Sequence, residues 1–252
     1  MKKGFITIAA VAVLAAWCSI AGAEEQKPTM SISTAVLNQY VFRGYQYGKN
    51  SLIIQPTMTV TYNGISASLF ENYDMNEHGT DNFVPTNSGK RNMNEGDVTL
   101  SYTKAIDKLS LTGGYAYYGT DYVTETGEVF VTAAYDTIAK PVLSLYRDVS
   151  QFQAWYLNLA VAHSIPVAGE ATVDLGASAG YEYGDSEAFR INGKMYRALH
   201  DGMVKAGMTI PFAKLYTVQP AVQYWFPLSS SAKDDVKLHS FFVYGVTIAM
   251  NF

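Results

Sequence analysis

Charged side chains set among alternating apolar residues are the groups in this sequence best placed to do chemistry. Arg43 in "YVFRGYQ", Asp136 in "VTAAYDT", Arg147 in "LSLYRD", Glu182 in "AGYEYG" and Lys205 in "MVKAGM" each lie in such a segment. Side chains of a strand alternate between two faces, so these five fall on polar rows opposite apolar ones, as do Gln39, Asp97 and Asp174. Turned into a closed wall of strands, such charges line a permeation path, or they pair and fill the interior. Glu182 and Lys205 fall on neighbouring antiparallel segments, at positions that could meet diagonally.

Catalysis has fewer candidates. The four histidines are His78, His163, His200 and His239, of which His239-Ser240 and His200-Asp201 set a base beside a nucleophile or an orienting carboxylate. No two histidines share metal-ligand spacing on one element. The sole cysteine is Cys18, and the chain has no G-x-x-x-x-G-K and no C-x-x-C-H. No cofactor and no metal is therefore expected, and the protein is not expected to be an enzyme.

What positions these groups is legible from the front of the chain onward. "MKKGFITIAAVAVLAAWCSIAGA" has a basic start, an apolar core and an Ala21-Gly22-Ala23 ending, so residues 1–23 read as a cleavable export signal and 24–252 as one domain. Loss of Lys2 and Lys3 takes the formal charge from −4 to −6, and no basic run offers a nucleic-acid surface. No later segment reaches the ~18 consecutive apolar residues of a spanning helix.

Twelve segments alternate instead. They fall at roughly 32–45, 52–63, 65–73, 97–105, 109–119, 127–137, 141–148, 152–165, 171–184, 201–212, 214–226 and 241–252. Connections after even-numbered segments are short, such as Asn63-Gly64, where both residues accept positive φ. Those after odd-numbered segments are more polar and include the long stretches near 74–96 and 184–200. A soluble sandwich explains the alternation equally well but gives no reason to sort its loops, and it usually contains Greek-key crossings. A transmembrane up-and-down antiparallel β-barrel has short periplasmic turns, long extracellular loops and an even strand count. The expected fold is therefore all-β, an outer-membrane barrel of about 12 strands.

Aromatic residues support it by clustering near both ends of the segments. Tyr40, Phe42, Tyr73, Tyr115, Tyr117, Tyr146, Trp155, Tyr183, Tyr224 and Phe226 fall on the long-loop side, and Tyr62, Phe212, Tyr216 and Phe252 on the other. The last segment, "FFVYGVTIAMNF", alternates to its final Phe252, which resembles the C-terminal signal read by the barrel assembly machinery of Gram-negative bacteria. Outer-membrane lipid and lipopolysaccharide would then surround the wall.

"QYVFRGYQY" at 39–47 resembles the N-terminal motif of the TorF-like outer-membrane proteins. "TGEVFVTAAYD", "WYLNLAVAHSIP", "DLGASAGY" and "LHDGMVKAGMTIPF" resemble the body of that family. The likeness implies location and fold, and it carries no substrate or catalytic residue with it. Three functional readings follow: a narrow porin-like channel for small hydrophilic solutes, lined by Arg43, Asp136, Arg147, Glu182 and Lys205; a non-conducting surface barrel whose loops bind an outside partner; and, least supported, a lipid-modifying barrel enzyme.

Overall fold

The computed structural model describes residues 27–80 and 92–252. The expected export signal and part of the stretch 74–96 lie outside the described residues. Twelve antiparallel strands close into one barrel: β1 (Thr29–Leu37), β2 (Ile53–Tyr62), β3 (Ile65–Asp74), β4 (Asn92–Ile106), β5 (Leu109–Thr120), β6 (Thr126–Tyr135), β7 (Val142–Asp148), β8 (Ala154–Pro166), β9 (Thr172–Gly184), β10 (Arg197–Phe212), β11 (Tyr216–Pro227) and β12 (Phe241–Asn251). Closure is made by β1, which pairs with β2 through Leu37↔Ile53 and with β12 through Val36↔Val246. Neither end of the sheet is left as an open edge.

The sorting of loops is as the sequence indicates. Residues 63–64, 107–108, 136–141, 167–171 and 213–215 make the turns at one end, beside both ends of the barrel chain. Asn63, Asp107 and Ala213 adopt positive φ in three of them. At the other end, 185–196 holds a two-stranded hairpin (Arg190–Ile191 with Lys194–Met195), and 228–240 holds the short helix α1 (Ser230–Asp234). Arg190 donates to Glu187 on that outer hairpin, which holds the Glu187 carboxyl below its ordinary range.

The outward rows are apolar and exposed. Leu100, Val131, Leu159, Leu175, Val222 and Ile248, on six strands around the wall, are all exposed. Tyr115, Tyr117 and Trp155 mark the long-loop end of this face, and Tyr62, Phe212, Tyr216 and Phe252 the turn end. Amphipathic rings prefer the two interfaces of a bilayer, so the girdles and the apolar band between them fit lipid. His163 also lies on the outer row, near the turn end, where its Nδ1 is 2.8 Å from the Ile138 carbonyl oxygen.

One element departs from the expected meander. The first strand does not run to residue 45. It stops at Leu37, and the chain turns into the lumen as a small hairpin, Tyr40–Phe42 paired with Tyr45–Gly48, before rejoining the wall at Ile53. Arg43 (φ 49°) and Gly44 (φ 76°) form its two-residue tip, both with positive φ as a tight hairpin turn requires. The wall is sealed where the chain leaves it. Asn38 Oδ1 accepts from the Tyr244 amide at 2.7 Å, while Asn38 Nδ2 and Gln39 Nε2 donate to the Phe242 carbonyl. These side chains replace the backbone ladder that β12 would otherwise lose.

Candidate functional site

Twelve strands about 4.8 Å apart, tilted about 40°, enclose a backbone cylinder roughly 24 Å across. Side chains do not fill such a lumen from the wall alone. The inward hairpin does so near the outer end, and it crosses the whole bore. It springs from between β1 and β2, yet its tip reaches β6, β7 and β8 on the far side of the ring. Arg43 donates from both terminal nitrogens to the two carboxylate oxygens of Glu128, each at 2.7 Å. Its guanidinium lies 4.6 Å from the Tyr146 ring centre, 4.3 Å from Tyr156 and 4.7 Å from Phe42 of its own hairpin. Tyr118 donates to the same Glu128 at 3.0 Å. A forked cation, a carboxylate and three aromatic faces make a latch that is both charged and shape-specific.

The hairpin flanks are seated as firmly. Tyr40 packs on Phe70 of β3, and Phe42 on Tyr118 of β5. Tyr45 packs against His200 with the rings tilted and donates to Glu182 at 3.1 Å. Tyr156 donates to Asp201 at 2.9 Å, and the Tyr196 hydroxyl lies 2.7 Å from His200 Nδ1. His200 Nε2 comes within 3.2 Å of Glu182 without the alignment of a hydrogen bond. His200 and Asp201 are consecutive yet both buried, which regular alternation forbids. A bulge permits it: the β9–β10 register slips between Ala179↔Gly202 and Tyr181↔Leu199, so two residues of β10 face one of β9.

That one residue is Gly180. A Cβ there would strike the Asp201 carboxylate and the Tyr156 hydroxyl. Replacing Gly180 with Val should therefore push the bulge residues apart and loosen the hairpin seat. A lowered midpoint for heat-induced loss of the compact barrel band on SDS gels checks this, and an unchanged midpoint contradicts it.

Below the hairpin the lumen changes character. Hydroxyls meet across neighbouring strands in Thr59–Ser68, Thr61–Ser66, Thr103–Thr112 and Thr132–Ser144, all at 2.8–3.0 Å. Asp174 accepts from Thr209 at 2.7 Å, and Lys205 is exposed to the bore between Gly176 and Gln223. Small and hydroxylated residues keep this half open to water. Above the hairpin a cavity of about 390 Å³ opens toward the outer mouth. Glu95, Glu128, Asp148 and Glu182 from the wall and Asp235 from the outer loop line it, against Arg43 and Lys237.

The five expected lumen charges thus divide. Glu182 and Lys205 face the bore, but not each other: Glu182 stands opposite Ala198 and Lys205 opposite Gly176, six residues or roughly 20 Å apart along the strand. Arg43 is in the bore on the hairpin rather than on the wall. Arg147 is on the outer row. It lies over Trp155 at 5.1 Å and pairs with Asp185 at 2.6 Å, with its stem along the apolar face and its head at the rim. Asp136 lies past the end of β6, exposed in a turn. Tyr40, Phe42 and Tyr146, expected in the outer girdle, point inward instead. Glu128 and Asp201 also face the bore, and for Glu128 alternation through β6 contained the signal; Tyr156 stands opposite the apolar row of Trp155 and Leu157, as alternation through β8 requires. His239 and Ser240 are exposed on an outer connection. Among the described residues, no three His, Cys, Asp or Glu side chains are grouped to hold a metal.

Comparison with solved structures agrees with this geometry. The KdgM porin matches with a TM-score of 0.55 at 12% identity, over 88% of this chain and 99% of that one. The NanC porin matches with 0.55 at 10% identity, over 88% and 98%. An outer-membrane channel from Pseudomonas putida F1 matches with 0.54 at 8% identity, over 93% and 100%. The chain has the fold of an outer-membrane β-barrel. No protein-family model matches the sequence, and no curated protein does.

Proposed function

We propose that this protein is a narrow outer-membrane channel for small hydrophilic solutes, constricted by the hairpin 40–48 and not an enzyme. The observation that carries the reading is the contrast along the bore. A wide, hydroxyl-lined lower lumen leads to a single latched obstruction, and an acidic vestibule lies beyond it. A barrel serving only to display loops has no need of a wet lower half. The porin folds it resembles, and the likeness of residues 39–47 to TorF-like proteins, support the same location. Assembly through Phe252 and contact with lipopolysaccharide belong to this proposal.

Purified full-length protein inserted in planar lipid bilayers should give discrete conductance steps. Insertion without steps would remove the channel reading in favour of a non-conducting surface barrel. Two variants then test the rows. Lys205→Glu, in the open lower bore, should move the reversal potential in a salt gradient toward cation preference. Arg147→Ala, at the outer rim, should leave conductance and reversal potential as in the wild type. Equal effects from both would mean that the inward and outward faces are wrongly assigned.

A further inference from the structure

The vestibule above the hairpin has a chemistry more specific than a water-filled mouth needs. Its carboxylates outnumber its cations by five to two. Field lines from such a ring are focused by the low-dielectric wall, which raises the local concentration of positive solutes. Between the carboxylates stand aromatic faces, Tyr47, Tyr118, Phe152 and Tyr156. Aromatic faces attract cations and cover apolar stems, and they give no such help to an anion. A volume of about 390 Å³ suits a small organic molecule rather than a bare ion.

The protein itself already shows what this surface holds. Arg43 places a guanidinium in a bidentate grip from Glu128, at 2.7 Å on both oxygens, and against the rings of Tyr146 and Tyr156. Glu128 keeps only 8% of its side chain exposed there. The other wall carboxylates, Glu95, Asp148 and Glu182, also border the empty volume; Asp148 already accepts from Thr126 and from the amides of Ser150 and Phe152, and Glu182, among the described residues, from Tyr45 alone.

We propose that the vestibule binds small organic cations bearing a guanidinium or ammonium group on a short apolar stem. Glu95 and Glu182 receive the charged head, and the tyrosine faces cover the stem. This names the solute class of the channel proposed above and rests on that reading only for its role in transport; binding itself does not require conduction.

Titration calorimetry on the folded, detergent-solubilised full chain at low salt, with agmatine as probe and glucuronate as the anionic comparison, tests it. Agmatine should bind and glucuronate should not, and added salt should weaken the agmatine signal. Glu182→Gln and, separately, Glu95→Gln should each weaken agmatine about tenfold, the loss expected for one charged hydrogen-bond partner. Each variant is scored only with its heat-modifiable gel shift intact, so two independent positions guard against misfolding. No agmatine binding, equal binding of glucuronate, or full affinity in both variants would overturn the proposal. Bilayer recording keeps the two readings apart. Agmatine binding without conductance steps removes the channel and leaves the site, whereas steps without agmatine binding remove the site and leave the channel.

Discussion

Excising residues 39–50 and closing Asn38 to Ser51 with a short Gly-Ser link should raise single-channel conductance several-fold. The ends to be joined are already neighbours, because Leu37 pairs with Ile53. Asn38 stays to cap the β12 ladder, and Ser51 stays to donate to Asp74. What is lost is a two-stranded obstruction about 10 Å wide with its side chains, in a bore whose free width is roughly 14 Å once wall side chains are subtracted. Ion flow scales with open cross-section, and the hairpin occupies more than half of it. The wall should survive, since its strands are joined by their own ladders. Glu128, Glu182, Tyr156 and Asp201 would pass from a packed seat into water, which is where ionised and hydroxyl groups are least costly. Bilayer recording of the excised protein beside the wild type is the measurement. Steps of unchanged size from well-folded barrels would show that the hairpin is not the constriction.

The barrel was legible because its signal is redundant. Each of twelve segments repeats the same two-residue period, and the long connections all fall at one end, whichever strand is considered. Where single residues decide, the reading failed for identifiable reasons. In Tyr40–Gly48 each arm alternates as a strand does, with Tyr40 and Phe42 on even positions and Tyr45 and Tyr47 on odd ones, so the turn shows only as a slip of phase. The turn is carried by Arg43-Gly44 rather than by Asn-Gly, so Gly44 is its one compositional mark, and a lone glycine inside a strand pattern is also what a bulge shows. The chain therefore read as one strand continuing to residue 45. Arg147 was assigned by polarity, but its strand has Tyr146 and Asp148 on the inward row and Leu143, Leu145 and Arg147 on the other. A long cation at the rim can sit on an apolar row by keeping its head in water. His200 and Asp201 needed the bulge opposite Gly180, which is a property of the pairing of two strands and of neither alone. Rows were readable; register was not.

Arg43→Ala should cost more stability than the twelve-residue excision, although it removes only part of one side chain. With the hairpin still in place, Glu128 stays sealed beneath it and loses both hydrogen bonds from the guanidinium, keeping only the Tyr118 hydroxyl. Breaking a buried ion pair on one side typically costs about 3–5 kcal/mol, because the remaining charge is neither paired nor hydrated. The three ring contacts of the guanidinium are lost as well. The protein has one escape, which is to let the hairpin swing away and water in. Denaturant unfolding of Arg43→Ala in lipid vesicles should therefore show a large drop in midpoint, and its conductance should flicker between the wild-type level and that of the excised barrel. Arg43→Met combined with Glu128→Met should regain much of the midpoint, since neither charge is then left buried alone. A double variant no more stable than Arg43→Ala would mean that the rings, and not the ion pair, hold the hairpin. An Arg43→Ala midpoint equal to the wild type would mean that the tip is not latched, and the constriction would then have to be held by Tyr40, Tyr45 and the Asn38 anchor alone.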